Sequence, residues 1–135
     1  MLYGAEHVKR YEETDGAEGY DWGDRGGKIL ILSTVGRKSG EERKHALIYR
    51  EVDGGYAVVS SDGGAARHPN WHLNLEADPH VKVQIKADRF AAKARVASPE
   101  ERAKIWPLMV EVWPDYDEYT KKTDREIPIV ILERQ

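Results

Sequence analysis

Apolar runs and polar, glycine-punctuated stretches alternate along this chain, and the period of each run assigns an element. Lys28–Val35 contains Ile29-Leu30-Ile31-Leu32, apolar on both faces of a strand and so expected to be covered on both. Arg43–Val52 reads as the next strand, Asp53-Gly54-Gly55 as a hairpin turn, and Tyr56–Ser61 as a valine-rich third strand. Val81-Lys82-Val83-Gln84-Ile85-Lys86 alternates strictly, Asp88 turns the chain, and Phe90–Val96 runs back. Ile127–Leu132 is a last, fully apolar strand.

Helices interrupt this series at two places. Pro69 suits the first position of a helix that must end by Asp78-Pro79, because the residue before proline is forced out of the helical region. Ser98-Pro99-Glu100-Glu101 is a helix start with a capping box, and Ile105, Leu108, Met109 and Val112 form its buried stripe. Pro107 should kink that helix or weaken one turn, and Pro114 should end it. A weaker pattern over Ala5–Glu13 turns Val8 and Tyr11 inward. The order is three strands, a short helix, two strands, a longer helix and one strand. Short turns between neighbouring strands imply antiparallel pairing, hence a mainly β (α+β) fold, a small barrel or curled sheet with helices at its edges. No glycine-rich turn joins a first strand to a helix, which excludes a doubly wound nucleotide fold. Residues 1–27 form a polar N-terminal segment and 28–135 the folded domain.

Composition narrows the function. At 135 residues, with 40% hydrophobic and 33% charged positions, the chain suits one globular domain. A net charge of −3 gives no general attraction to nucleic acid, so any basic site must be local. There are no cysteines, so any redox chemistry needs a borrowed cofactor. No apolar run reaches the length of a membrane span and no signal peptide opens the sequence, so the expected location is the cytoplasm.

Arg37, Lys38, Arg43 and Lys44 fall within eight residues, with Ser39 among them. Arginine forks and a lysine point charge suit phosphate, although the order is not that of a P-loop. The plain alternative is a solvated turn neutralised by Glu41 and Glu42. About thirty residues on, Ser60-Ser61-Asp62-Gly63-Gly64 leads to His68-Pro69-Asn70-Trp71-His72-Leu73-Asn74. Trp71 offers an indole to a ring and Asn74 an amide to a polar edge, or Trp71 is simply core. His68 and His72 are four apart, but no third ligand accompanies them, so no metal site is expected. Trp113, Tyr116 and Tyr119 follow at near-helical spacing, either lining a pocket for flat substrates or packing as core. No nucleophile elbow or glycosidase carboxylate pair is present.

Together these segments resemble the deazaflavin (coenzyme F420)-dependent nitroreductase family, reductases built on a split β-barrel. The matching pieces are Ser33-Thr34-Val35-Gly36-Arg37-Lys38-Ser39-Gly40-x-x-Arg43, Ser60-Ser61-x-Gly63-Gly64, His68-Pro69-x-Trp71-x-x-Asn74-Leu75, and Trp113-Pro114-x-Tyr116 through Arg125-x-Ile127-Pro128. The resemblance implies a six-stranded antiparallel split barrel. It places Arg37, Lys38, Ser39 and Arg43 on the cofactor's phosphate and acidic tail. Lys44, His45, Ala46, Leu47 and Ile48 would line the same groove, and Val59, Ser60 and Ser61 would edge the ring with backbone groups. Asn70, Trp71, His72, Leu73 and Asn74 would close its other side. Tyr116 and Ser61 would act at the reacting centre, and Trp113, Tyr116 and Tyr119 would meet the substrate. The chain departs from the pattern at Ala46, where the family usually has proline, and at Asp62, where some members have lysine. A carboxylate there would repel the anionic tail by about 1 kcal/mol if solvated at 4 Å. Arg67, or a tail path avoiding Asp62, would compensate.

The implied activity is hydride transfer from reduced F420 to electron-poor acceptors: enones, unsaturated lactones, quinones or nitroaromatics. The partner is a small hydrophobic acceptor, with the protein a monomer or homodimer. Two alternatives stand beside it: a flavin mononucleotide (FMN) oxidoreductase on the same barrel, and a binding protein that carries a deazaflavin without turnover.

Overall fold

The computed structural model describes residues 2–135. Their elements run α1 (Gly4–Thr14), β1 (Asp21–Trp22), β2 (Gly27–Val35), β3 (Glu42–Val52), β4 (Gly55–Val59), a 3-10 turn (Asp62–Gly64), α2 (Asn70–Ala77), β5 (His80–Ile85), β6 (Asp88–Val96), α3 (Pro99–Val112), α4 (Asp115–Thr120) and β7 (Ile129–Arg134). All pairings are antiparallel in the order β1-β2-β3-β4-β7-β6-β5. Strand β5 pairs back to β2 through Ile31↔Gln84, Leu32↔Val83 and Ser33↔Lys82, which closes a six-stranded split barrel. Closure leaves no long open edge. Strand β1 is an addition, hydrogen-bonded to the start of β2 at Lys28 and Gly27.

The double-faced apolar strands are covered twice, as their sequences require. Leu30, Leu32, Val58, Val83, Val130 and Leu132 fill the barrel, and α2 plugs it with Trp71 and Leu75. Outside, Ile29 and Ile31 pack under Val8 and Tyr11 of α1. On the opposite flank Ala57, Val59, Ile129 and Ile131 pack under Ile105 and Met109 of α3 and Tyr116 of α4.

Several boundaries differ from the sequence reading, each for a physical reason. Strand β4 ends at Val59, not Ser61. Ser60 N still donates to Pro128 O at 3.0 Å, but Pro128 has no N–H with which to continue the ladder. Asp88 begins β6 instead of making a turn, because Lys86-Ala87 turns the chain with Lys86 at φ 54. That turn is held from outside the hairpin: Lys86 N donates to Tyr11 Oη at 2.7 Å. Pro69 is the N-cap, extended at ψ 155, so α2 starts one residue later. Helix α3 stays continuous through Pro107, and its burial of Ile105 and Met109 flanks that position. Past Pro114 the chain forms α4, which buries Tyr116.

Candidate cofactor site

The two segments singled out in the sequence meet in space. Gly36 N donates to Glu41 O and Gly40 N to Gly36 O, both at 2.8 Å, which closes the basic loop between β2 and β3. Asn74 of α2 reaches across to it. Its Oδ1 accepts from Arg37 N at 3.2 Å and from Arg37 Nη1 at 2.9 Å, while its Nδ2 donates to Thr34 Oγ1 at 3.2 Å. The result is a recess of about 310 Å³ lined by Arg37, Lys38, Ser39 and Arg43 with Asn70 and Asn74. Ser39 Oγ accepts from Glu41 N and Arg43 Nη2, and Arg43 pairs with Glu41 at 3.4 Å. Lys38 has no ion-pair partner among the described residues, and Glu42 turns away to Lys44 and Lys82.

A second, larger cavity of about 480 Å³ adjoins the recess, His45 and Asn70 lining both. Its floor is β3 at His45–Ile48 with Val59, Ser61 and Trp71. One wall is the elbow between α3 and α4, with Trp113, Tyr116 and Tyr119. The facing wall is the N-terminal arm: Tyr3, His7 and Trp22. The arm is stiffened by its own contacts. The His7 ring stacks on Trp22 at 5.0 Å, Tyr3 meets Trp22 edge-on at 5.5 Å, and His7 Nε2 donates to Gly19 O at 2.8 Å. A Cβ on Gly19 would lie 2.9 Å from the His7 ring, so glycine is what lets the arm fold this tightly.

Polar groups around the cavity fall into three kinds. His45 Nδ1 is buried with no partner among the described residues at the junction of the two spaces, and burial holds its pKa below the ordinary value. Burial also raises the Tyr116 phenol, with Tyr119 adding to the shift, and among the described residues none bonds the Tyr116 hydroxyl. Tyr119 Oη is engaged by Trp113 Nε1 at 3.2 Å. Behind the floor, Ser60 Oγ lies 2.7 Å from His72 Nδ1, and His72 Nε2 lies 3.4 Å from Glu76. Glu76 can only accept, so the imidazole proton sits on Nε2 and Ser60 donates to Nδ1. Burial, then His68 and Arg125, push the His72 pKa down to about 4. Both serine and histidine are fully enclosed, so this is a structural relay and not a hydrolase nucleophile.

Measured against the sequence reading, the recess collects Arg37, Lys38, Ser39 and Arg43, and the cavity collects His45 to Ile48, Val59, Ser61, Asp62, Asn70, Trp71, Trp113, Tyr116 and Tyr119. Four expected contacts lie elsewhere. Lys44 lines neither space and pairs with Glu12 of α1 at 2.5 Å. Ser60 and His72 are buried behind the floor, and both Ser60 backbone groups are bonded, to Pro128 O and Arg125 Nη2. Leu73 lines neither space. Asn74 spends its amide on Arg37 and Thr34, so it orients a cation instead of meeting a ring edge. Asp62 lines the large cavity and not the basic recess, and its charge acts on Arg125. The arm residues Tyr3, His7 and Trp22 were not anticipated; glycines at 16, 19 and 23 hid their tight packing from any periodic pattern.

An aromatic-walled cavity joined to a cationic recess accommodates a ligand with a flat ring and an anionic tail. The orphaned His45 nitrogen and the unpaired Lys38 fit such a ligand's polar edge and charge. Among the described residues no group of three His, Asp or Glu side chains is placed to hold a metal. Barrel and site together define a split-barrel redox protein that works through a bound organic cofactor. The chain belongs to the F420H(2)-dependent quinone reductase family, whose model matches residues 3–134. A Mycobacterium tuberculosis protein provisionally named an F420H(2)-dependent quinone reductase is 39% identical over 103 residues, 76% of this chain and 87% of its own length. A solved F420-H2 dependent reductase is 43% identical, with TM-score 0.71, covering 78% of this chain and 93% of that one. Another solved chain, described as a domain-swapped dimer, is 40% identical with TM-score 0.74 and 95% coverage of both. The protein is therefore a reductase, and reduced F420, not FMN, is its cofactor. The carrier without turnover falls away with it.

Proposed function

We propose that this reductase delivers hydride to a quinone bound between the N-terminal arm and the α3–α4 elbow. The observation that carries the reading is the continuity of the aromatic cavity with the basic recess through His45 and Asn70. Reduced F420 supplies the hydride, and the acceptor, gaining that hydride and one proton, becomes a hydroquinone. Arg37, Lys38 and Arg43 hold the anionic tail, Arg37 in the orientation fixed by Asn74. His45–Ile48, Val59, Ser61, Asn70 and Trp71 line the slot that takes the ring. Tyr116 and Ser61 present hydroxyls to the acceptor oxygen. Because burial raises the Tyr116 phenol, it stays protonated at working pH and acts as a hydrogen-bond donor, while solvent supplies the net proton. Enones, unsaturated lactones and nitroaromatics present the same flat, electron-poor centre and belong to the acceptor range. The likeness to the domain-swapped chain favours a homodimer over a monomer.

Fluorescence titration with F420 and turnover of menadione with its reduced form test this reading. Micromolar binding and turnover are expected; no binding at micromolar concentration would overturn it. Tyr116→Phe should lower kcat about tenfold, the loss of one hydrogen bond made in the transition state, and leave F420 affinity unchanged.

A further inference from the structure

Arg125 lies between α4 and β7 and lines neither the cavity nor the recess, yet it makes four hydrogen bonds in one direction. Its Nε donates to Ala65 O at 2.8 Å, and its Nη2 to Ser60 O at 3.1 Å and Ser61 O at 2.7 Å. Its Nη1 lies 2.9 Å from His68 Nδ1. A guanidinium only donates, so His68 accepts there as a neutral imidazole. The stretch so gripped is costly to hold. Asp62, Gly63 and Gly64 follow one another at φ 46, 63 and 84, and Asp62 is not a glycine. A Cβ on Gly64 would come within 2.8 Å of Tyr119 O, so the same stretch is pressed against the end of α4. The loop is thus fixed from behind by Arg125 and from the side by α4. Its front carries Ser61, Asp62 and Gly63 into the cavity.

We propose that Arg125 is the positioning residue of the catalytic site: its planar fork sets the Ser61–Gly63 edge against which the deazaflavin ring is aligned. The inference rests on the ring site proposed above. Ser60 and Ser61 offer consecutive carbonyls, and Ala65 and His68 offer acceptors further along. A rigid fork spans all four, whereas a lysine ammonium on a flexible stem meets one or two. The Asp62 carboxylate sits close enough to act on Arg125, which adds a charge to the grip. Losing the fork frees the loop while the barrel, closed by its own ladders, remains.

Arg125→Lys, which retains the charge, is the main test, with wild-type F420 binding measured first. Wild type that fails to bind F420 defeats the ring-site reading and this inference with it. Given wild-type binding, three results are expected in Arg125→Lys. Amides of residues 61–65 exchange with solvent about tenfold faster while barrel amides do not change. F420 affinity and kcat with menadione each fall about tenfold, the equivalent of one charge-assisted hydrogen bond. The KM for menadione stays within twofold. In Arg125→Ala, methylguanidinium should restore part of the lost F420 affinity. Wild-type exchange at 61–65 together with F420 affinity and kcat within twofold overturns the proposal. If neither variant can be purified folded, native-state exchange on wild type decides: 61–65 must open more readily with F420 absent than present, and equal protection overturns the proposal.

Discussion

His72 shows how much a single buried ring can report. It is enclosed, neutral, and takes a hydrogen bond from Ser60, with its pKa pushed down to about 4 by burial. In the unfolded chain the same group titrates at its ordinary value of about 6.5. Between those values the unfolded state binds more protons, so stability is full above the upper one and falls as pH drops toward the lower. The shift corresponds to about 3 kcal/mol. His45, lowered by burial, contributes with the same sign. Urea midpoints at pH 7 and pH 4.5 should differ accordingly, and His72→Asn should flatten the difference; equal midpoints in wild type would refute the assignment. At this scale the sequence was readable only for residue type. Arg37, Lys38 and Tyr116 stand where their chemistry suggested. Asn74, Ser60 and Lys44 are bonded instead to groups thirty or more residues away, which no local pattern announces.

Among the elements, α3 is the most self-sufficient. Ser98 Oγ accepts from Glu101 N, Glu101 accepts in return from Ser98 N, and Arg95 forks onto the Glu101 carboxylate at 2.7 and 2.8 Å. That fork, followed by the capping bonds, holds the Glu101 carboxyl down to about 2. Ser98→Ala should cost about 1 kcal/mol, seen as a lower Tm with F420 affinity unchanged. A Tm equal to that of wild type would show the cap to be redundant. Capping chemistry is local, which is why this helix was legible from four consecutive residues. The strands were legible for a similar reason, since a period of two survives without knowledge of neighbours. The end of β4, the turn at Lys86 and the two-residue β1 were not. Each depends on a group supplied by another element: Pro128, Tyr11 and the edge of β2.

For the molecule as a whole, charge is local and not global. A chain of net charge −3 carries its cationic recess at one end of the site. An anionic cofactor is therefore attracted only at short range, within the distance that salt screens at physiological strength. F420 affinity should fall as salt rises from 50 to 500 mM, and Lys38→Ala should both weaken binding at low salt and flatten the dependence. A salt response unchanged by that substitution would place the tail elsewhere. Antiparallel closure was implied by the short turns, but which strand closes on which was not, because β2–β5 contact joins segments fifty residues apart.

The arm that walls the cavity hangs on a stretch of β2 outside the barrel's closing ladder. Its cavity-facing positions Tyr3, His7 and Trp22 can therefore vary without unpicking any of the six closing strands, whereas Val8 and Tyr11 of the same arm cover Ile29 and Ile31 and hold the Lys86 turn. A combinatorial library confined to Tyr3, His7 and Trp22 should broaden or switch the acceptors reduced while leaving cofactor recognition untouched. The same separation makes the arm a natural place for related enzymes to diverge in diet while keeping one common engine.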